Sequence, residues 1–285
     1  GISALNEIYI AGGSVTVEES YEGLEARIIN ISGGEIDITS HDDGLNATDK
    51  RADLSLTDDT AVEEAADKAV KPADTKEPDA ERSARHGDGG AGAKRDFPGG
   101  FGGMGDTQAE ANINISGGVV RIDAEGDGVD SNGYLTVSGG ELYVTGPSSG
   151  KDGALDYGID AAISGGIVVA AGQSGMAQNF GADSTQGTIL VNTQQQNAAG
   201  SEILLVDGDG RELVAWTMKK AYNSVVVSCP EITVGGTYTV KTGEVSTEVA
   251  MDSIVYGEGF GFGGGMRGFY RKRRQGSDGT VPGHL

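Results

Sequence analysis

Acidic and amide side chains recur at matching positions of a repeated motif, and their spacing suits a calcium site. Aligning the copies of the motif predicts a first column just before a turn glycine, formed by Glu22, Asp43, Asp127 and Asp152. It predicts a second column three residues later, formed by Glu25, Asn46 and Asp130, with Asp156 displaced by one residue. Asp42, Asp49 and Asn132 lie close to these columns in sequence.

Stacked carboxylates need a counter-ion or exposure to solvent. Equivalent residues of stacked strands lie about 4.8 Å apart, and two carboxylates at that distance repel by roughly 1 kcal/mol in water and ~3–4 kcal/mol at an effective dielectric of 20. Calcium prefers six to eight oxygen ligands with tolerant geometry. The predicted calcium ligands are therefore Asp42, Asp43, Asn46, Asp49, Asp127, Asp130, Asn132, Asp152 and Asp156. Ordinary Asp-Gly turns whose charges are screened by solvent are the alternative, and the glycine-rich nonapeptide of calcium-binding rolls is absent.

The elements that would position these residues are five copies of one motif. Gly-Gly pairs stand at residues 12–13, 33–34, 117–118, 139–140 and 165–166, and adjacent copies are 21, 22 and 26 residues apart. Within a copy, apolar residues alternate with polar ones in short runs, as in Ile29 and Ile31, then Ile36 and Ile38, then Leu45 and Ala47. This period of two predicts three short strands and three turns for each copy.

Three short strands in about 21 residues are typical of one coil of a parallel β-helix, whose coils bury their apolar pairs by stacking. An antiparallel β-sandwich or meander is the alternative, although its strands need not repeat a fixed order of motifs. Nothing before Ile8 resembles a cap, so we expect further coils or a cap to precede the first copy.

The repeats divide the chain into segments of different composition. Residues 1–49 and 113–187 are predicted β-helix coils, and residues 188–256 a small β-rich module that caps their C-terminal end. The acidic and Gly-rich residues 50–112 are predicted to be a disordered insertion, and the Gly-rich basic residues 257–285 a disordered tail.

Composition excludes several classes of function. The net charge of −22 disfavours nucleic acid as a partner, and no apolar run approaches the ~20 residues of a membrane span. A single cysteine and three scattered histidines exclude a disulfide framework and disfavour a zinc site.

An ordered block of motifs resembles a known family: INISGGEIDIT…DDGLNA and ISGG…GDGVDSNG, then GALDY, ISGGIVVAAGQSGMAQNF and STQGTILV. The block is similar to bacterial carbohydrate-binding, polysaccharide-lyase-like β-helix proteins of the clostridial cellulose- and pectin-binding type, over about residues 1–49 and 113–255. The resemblance implies a right-handed parallel β-helix, bound calcium, a secreted or cell-surface location, and binding of cellulose or acidic, pectin-like glycans. The long acidic insertion and the basic tail depart from the family pattern.

The flat outer face of such a fold suits a repetitive polysaccharide, so the first hypothesis is non-catalytic glycan binding. Tyr143 and Tyr157 are predicted to stack on sugar rings, and Arg121 and Lys151 to meet uronate carboxylates. For each tyrosine taken alone, packing on the strand is the stronger alternative.

Two other functions stay open. A calcium-dependent polysaccharide lyase would use calcium to acidify a proton and a base to remove it, with Arg121 and Lys151 as the basic residues expected near the columns. No catalytic residue is assigned, because no second acid/base pair stands out. The third possibility is a structural surface spacer or adhesin.

Overall fold

The computed structural model of this chain describes residues 1–51, 108–257 and 259. The chain divides into two units, Gly1–Lys50 with Gly105–Leu285, and Arg51–Met104. Every strand given below belongs to the first unit. Nearly all of the predicted insertion and tail lies outside the described residues, and their predicted disorder therefore stays a prediction.

The fold is all-β. The described residues form these strands in chain order: β1 (Ile2–Ser3), β2 (Glu7–Ser20), β3 (Leu24–Ala26), β4 (Ile28–Ser40), β5 (Leu45–Ala47), β6 (Asn112–Ala124), β7 (Val129–Ser131), β8 (Tyr134–Thr145), β9 (Leu155–Tyr157), β10 (Asp160–Gly172), β11 (Thr188–Asn197), β12 (Glu202–Asp207), β13 (Glu212–Thr217), β14 (Tyr222–Ser228), β15 (Thr237–Thr242), β16 (Val245–Ala250) and β17 (Val255–Tyr256).

Three sheets contain these strands. The large sheet has the order β17-β11-β14-β10-β8-β6-β4-β2, and the short-strand sheet has the order β1-β3-β5-β7-β9. A third, antiparallel sheet has the order β13-β12-β15-β16. Each of the first four copies of the motif gives one long strand to the large sheet and one three-residue strand to the short-strand sheet.

Neighbouring copies pair in parallel and in register. In the large sheet Ile31 pairs with Ile115, and Ile115 pairs with Val137; in the short-strand sheet Leu45 pairs with Val129. These side chains are all buried in one core, because alternate residues of a strand point to the same face. The antiparallel, hairpin-like pairing of copies that a meander requires is therefore not found among the described residues.

The Gly-Gly pairs do not end a strand, so the prediction of three strands for each copy was wrong. The first two predicted strands run together as one long strand that is irregular at the pair, as between Ile115 and Val119. The second glycine of each pair has positive φ, which is +85° at Gly118. A glycine can bend the chain there at low steric cost, so the backbone ladder continues on both sides.

The chain leaves and re-enters the repeat at one corner. Thr48 N donates to Ala26 O, and Asn112 N donates to Arg27 O, so both sides of the predicted insertion remain attached to the preceding copy. Asp49 N also donates to Gln108 Oε1, which places the two ends of the intervening segment side by side. The register of β4 with β6 is kept across this segment.

The strands after residue 187 do not form one separate module. β14 pairs antiparallel with β10 and β11, and thereby extends the large sheet, whereas only β12, β13, β15 and β16 form the third sheet. Val169 and Ala171 of β10 are buried in a second core with Ile203 and Val240 of the third sheet. The longer apolar runs predicted strands here, but they did not indicate which sheet each strand would join.

Residues before Ile8 also belong to the repeat. Ile2 and Ser3 pair in parallel with Leu24 and Glu25, and so add one more rung to the short-strand sheet. Two residues are too few for this rung to be visible as a pattern in the sequence, and the expected further coils or cap before the first copy stay a prediction. Among the described residues, no helix has the length and apolar character needed to cross a membrane.

Candidate functional site

The first acidic column lies at the entry to the short-strand sheet. Gly23 N donates to Asp43 O, Gly44 N donates to Asp127 O, and Gly128 N donates to Gly153 O. Glu22, Asp43 and Asp127 are therefore equivalent, and the fourth position of the column is Gly153. The predicted place of Asp152 in this column was wrong by one residue, because the turn before β9 is longer than in the other copies.

The second column runs along the middle residues of the short strands. Glu25 pairs with Asn46, Asn46 with Asp130, and Asp130 with Asp156. Asp156 is thus in register, and its predicted displacement by one residue was wrong. The flanking residues Leu45, Ala47 and Val129 point into the core, so the column side chains point outward.

Backbone amides of the next rung hold the first column. Asp127 N donates to Asp43 Oδ1 over 2.8 Å, and Gly153 N donates to Asp127 Oδ1 over 2.5 Å. Asn46 Nδ2 donates to Asp43 Oδ2 over 3.2 Å, which ties the second column to the first. Each of these carboxylate oxygens accepts one hydrogen bond from a neutral donor. A carboxylate has lone pairs for about four hydrogen bonds, so both groups can accept more.

Burial and mutual repulsion make these groups hard to ionise. Burial, with the charges of Asp130 and Glu22 adding to it, raises the pKa of Asp43 to about 8. Burial and the charge of Asp156 raise the pKa of Asp130 to about 7. Burial, opposed by the Gly153 amide and assisted by neighbouring carboxylates, raises the pKa of Asp127 to about 9.

Several oxygens around the columns have unused capacity. Glu22 Oε2 and Asn46 Oδ1 are buried atoms without a hydrogen-bond partner. A Cβ placed on Gly126 would lie 2.6 Å from both Asp42 Oδ1 and Asp43 Oδ1, so these two oxygens converge on one small space. In the described part of the chain, no lysine or arginine forms an ion pair with Asp43, Asp127 or Asp130.

The oxygens around the columns do not yet form the coordination shell of a metal ion. Among residues 1–51 and 108–257, no group of three or more His, Cys, Asp or Glu side chains is already arranged to hold a metal ion. The donor types nevertheless fit a hard cation, because carboxylate and amide oxygens are the ligands that calcium takes. A bound ion would require the column side chains to rotate toward one another.

The remaining predicted ligands lie at the margins of the columns. Asp152 lies in the long turn before β9, where Ser149 Oγ donates to its Oδ2 over 3.3 Å. Asp49 and Asn132 both lie at the corner beyond the short strands, where Gln108 N donates to Asn132 O. A further residue, Gln178, donates from Nε2 to Asp156 Oδ1 and was missed by the sequence analysis, since it follows the last copy.

The four predicted glycan-binding residues fall into two groups. Arg121 and Tyr143 are register partners on the outer face of the large sheet, away from the sheet that carries the columns. The expectation that Arg121 lies near the columns was therefore wrong. Its Nη1 lies 2.8 Å from Glu35 Oε1 and 3.5 Å from Asp37 Oδ1, so its charge is already balanced.

The second group, Lys151 and Tyr157, lies in and just before β9, the last strand of the short-strand sheet. Lys151 is exposed in the turn before β9, next to Asp152. Tyr157 is half-buried against the core, and its hydroxyl donates to Asn179 O over 2.6 Å. Burial raises the pKa of Tyr157 to about 12. A residue that sequence reasoning missed, Trp216, stacks on Tyr143 with ring centroids 4.3 Å apart.

No protein-family model, curated protein or solved structure matches the chain. The resemblance to the carbohydrate-binding β-helix family therefore stays a prediction made from the residues.

Proposed function

We propose that this protein binds polysaccharide without catalysis, with calcium held by the acidic columns, and that it acts outside the cell or at its surface. The observation that carries the proposal is the in-register stacking of Asp43 with Asp127 and of Asp130 with Asp156. Such stacking is unfavourable unless a cation or a proton neutralises it. The resemblance supports the secreted or surface location and the class of ligand.

The proposed fold is a right-handed parallel β-helix. Its support is the alternation of one long and one short strand in each of four copies, with each strand paired in parallel to the same strand of the next copy. Crossover connections between parallel strands are nearly always right-handed, because strands twist to the right. Stacked coils of this kind give long, rigid and repetitive outer faces, which suit a repetitive polymer.

Calcium would be held where the columns meet. Asp42, Asp43 and Asp127 with Asn46 and Asp130 form the central group of donors, and Glu22 and Asp156 flank it. The unpartnered oxygens of Glu22 and Asn46 support this assignment, since buried polar atoms normally have partners. The ion would replace the repulsion between carboxylates by attraction, and so stabilise the stack of short strands.

Calcium binding is tested by thermal unfolding of the protein in chelator and in millimolar calcium. A ligand that binds only the folded state stabilises it, so we expect the melting temperature to rise by several degrees with calcium. Elemental analysis of the dialysed protein should find calcium. The same melting temperature in both solutions would refute the metal assignment.

Glycan binding is tested separately, by a pull-down on insoluble cellulose and by a glycan array that includes pectin-like oligosaccharides. We expect retention that depends on calcium. Binding to none of these glycans would refute the proposal and favour a structural spacer. Release of unsaturated, ultraviolet-absorbing products from pectin-like substrates would favour the lyase, whose basic residue near the columns would be Lys151 rather than Arg121.

A further inference from the structure

A cavity of about 100 Å³ lies on the outer face of the large sheet, beside the strands of the third sheet. Its walls include Thr16, Asp37, Arg121 and Thr145 of the large sheet, and Trp216 and Lys219 from the C-terminal part of the chain. The acidic columns contribute no residue to it. This cavity is therefore separate from the candidate calcium site.

Two residues that line the cavity each have a buried polar atom without a hydrogen-bond partner. Thr145 is 1% exposed, and its Oγ1 has no hydrogen-bond partner. Trp216 Nε1 is likewise buried and unpartnered. The neighbouring residue Val144 points into the core, so Thr145 points outward, toward the cavity. Buried donors without partners are rare in folded proteins, so two beside one cavity are available to bond a molecule that enters it, whether an ordered water or a ligand.

The aromatic wall of the cavity is held rigidly. The rings of Trp216 and Tyr143 are stacked with an interplanar angle of 17°, and the Tyr143 hydroxyl donates to Glu141 Oε2 over 2.9 Å. The indole plane is thus fixed before any ligand arrives. A sugar ring has an apolar C–H face that can pack on such a plane and hydroxyl groups at its edge that can pair with Thr145 Oγ1 and Trp216 Nε1.

The charges around the cavity disfavour an anionic ligand. Arg121 is balanced by Glu35 and Asp37, and Lys219 lies 3.5 Å from Asp123. Glu18 also lines the cavity. A uronate carboxylate would therefore meet cations that already have acidic partners, together with nearby negative charge.

We propose that this cavity binds one sugar residue of a neutral polysaccharide, with Trp216 packing on the ring and Thr145 Oγ1 and Trp216 Nε1 pairing with its hydroxyls. Pockets that enclose a whole small molecule measure about 300–1000 Å³, so this smaller cavity takes one ring of a chain that continues along the surface. The inference rests on the proposed polysaccharide binding and chooses a neutral over an acidic glycan at this site.

Isothermal titration of the full chain with cellopentaose and with tetragalacturonate tests the inference. The variants are Thr145→Val, which removes the hydroxyl and keeps the shape of the side chain, and Trp216→Phe, which removes the indole N–H together with part of the aromatic wall. Thr242→Val is the matched control, because Thr242 is also 1% exposed with an unpartnered Oγ1 but does not line the cavity. We expect wild type and Thr242→Val to bind cellopentaose equally, and Thr145→Val to bind it about 3–10-fold more weakly, as for the loss of one hydrogen bond. Trp216→Phe should weaken binding at least as much, because it also loses packing surface.

The outcomes separate this site from the proposed function. Full cellopentaose affinity in both cavity variants, with melting temperatures equal to that of wild type, would overturn the site while leaving glycan binding intact. Wild-type binding of tetragalacturonate without cellopentaose would overturn the neutral ligand. Failure of wild type to bind cellopentaose, tetragalacturonate and every glycan on the array would overturn the proposed function, and this site with it.

Discussion

Two carboxylates of the first column, those of Asp43 and Asp127, are each held by a backbone amide of the next rung. Asp43 accepts from Asp127 N, and Asp127 accepts from Gly153 N. The hydrogen bonds fix the carboxylates at the spacing of the strands, where their charges repel one another. The columns therefore respond to anything that changes their charge, whether a proton, a cation or a substitution.

The substitution Asp127→Asn should separate two effects of this carboxylate's charge, which are repulsion of the neighbouring carboxylates and attraction of calcium. The amide side chain keeps an acceptor for Gly153 N but cannot ionise. In chelator at about pH 10, above the pKa of about 9 of Asp127, we therefore expect a melting temperature equal to or above that of wild type. In millimolar calcium we expect a smaller calcium-dependent rise than in wild type. Thermal unfolding with and without calcium measures both.

The control for that experiment is Asp209→Asn, which removes a carboxylate from an exposed turn far along the chain from the columns. It should leave the calcium-dependent rise unchanged. A rise in Asp127→Asn as large as in wild type would show that Asp127 is not a ligand.

The raised pKa values predict how stability depends on pH. Asp130, Asp43 and Asp127 have folded-state pKa values of about 7, 8 and 9, against about 4 in an unfolded chain. The folded protein therefore binds more protons than the unfolded chain between these values, and its stability falls as pH rises. In chelator, the free energy of unfolding should decrease from pH 5 to pH 9, as measured by urea denaturation.

Calcium should reduce that dependence, because it replaces the protons that the carboxylates release at high pH. A free energy of unfolding in chelator that rises steadily between pH 5 and pH 9 would contradict the assignment of buried, repelling carboxylates.

Single residues show what the sequence could and could not reveal. The stacking of Asn46 with Asp130 follows from the period of the motif, which fixes equivalent positions wherever the turns have equal length. The position of Asp152 was missed because residues 146–154 form a longer turn than residues 125–128, and alignment on an Asp-Gly pair chose the wrong equivalence. Thr145 and Trp216 meet only through tertiary structure, so no local pattern could have identified their cavity.

At the scale of the strand, the glycine pairs let long strands bend without losing their partners. Gly118 has φ +85°, and a Cβ there would lie 2.8 Å from Gly34 O and 2.9 Å from Gly33 C. The neighbouring rung is therefore too close for any side chain at this position. The sequence revealed where the chain changes direction, but not that hydrogen bonding resumes directly beyond the bend, because glycine is common in both turns and bulges.

Substituting Gly118 by alanine should destabilise the protein. Alanine is strained at positive φ, and its methyl group would force adjacent rungs apart, so we expect the free energy of unfolding to fall by about 1–3 kcal/mol. Urea denaturation measures this change. Gly150→Ala is the matched control, since a Cβ there would contact nothing within 4 Å, and it should change stability by less than about 0.5 kcal/mol. Equal effects of the two substitutions would contradict the close packing of the rungs.

At the scale of the molecule, the C-terminal strands are attached to the repeats by charge as well as by apolar packing. Lys220 Nζ donates to Ala124 O over 2.8 Å and lies 2.9 Å from both Asp123 Oδ1 and Glu125 Oε1. Its side chain is 16% exposed, which is unusual for lysine. Lys220 thus joins the connection after β13 to the end of β6.

Replacing Lys220 by methionine should lower the free energy of unfolding by about 1–3 kcal/mol, because it leaves a backbone carbonyl and two carboxylates without their donor. Lys219→Met is the control: Lys219 is 64% exposed and 3.5 Å from Asp123, so its loss should cost less than about 0.5 kcal/mol. Thermal or urea unfolding compares the two. A larger loss of stability for Lys219→Met would show that the exposed pair holds the strands.

The parallel pairing of the copies was predictable because one motif recurs with a fixed order of apolar pairs and glycines. The path after residue 187 was not, because β11, β14 and β17 return to the large sheet while four intervening strands form another sheet. Val169 and Ala171 are a sign of this arrangement, because they are apolar and buried at outward positions of β10 where earlier copies have mostly polar residues. That signal indicates burial on both faces, but it does not identify the covering strands.

The contact between Asp49 and Gln108 makes this corner an insertion point, at which a segment can be inserted between two copies without disturbing the pairing of β4 with β6. The two ends of an inserted segment lie side by side here. The entropic cost of closing such a loop grows only slowly, with the logarithm of the number of residues inserted. A tag, a fluorescent reporter or a binding domain whose own ends lie close together could be grafted there, and the stacked copies on either side would keep their pairing.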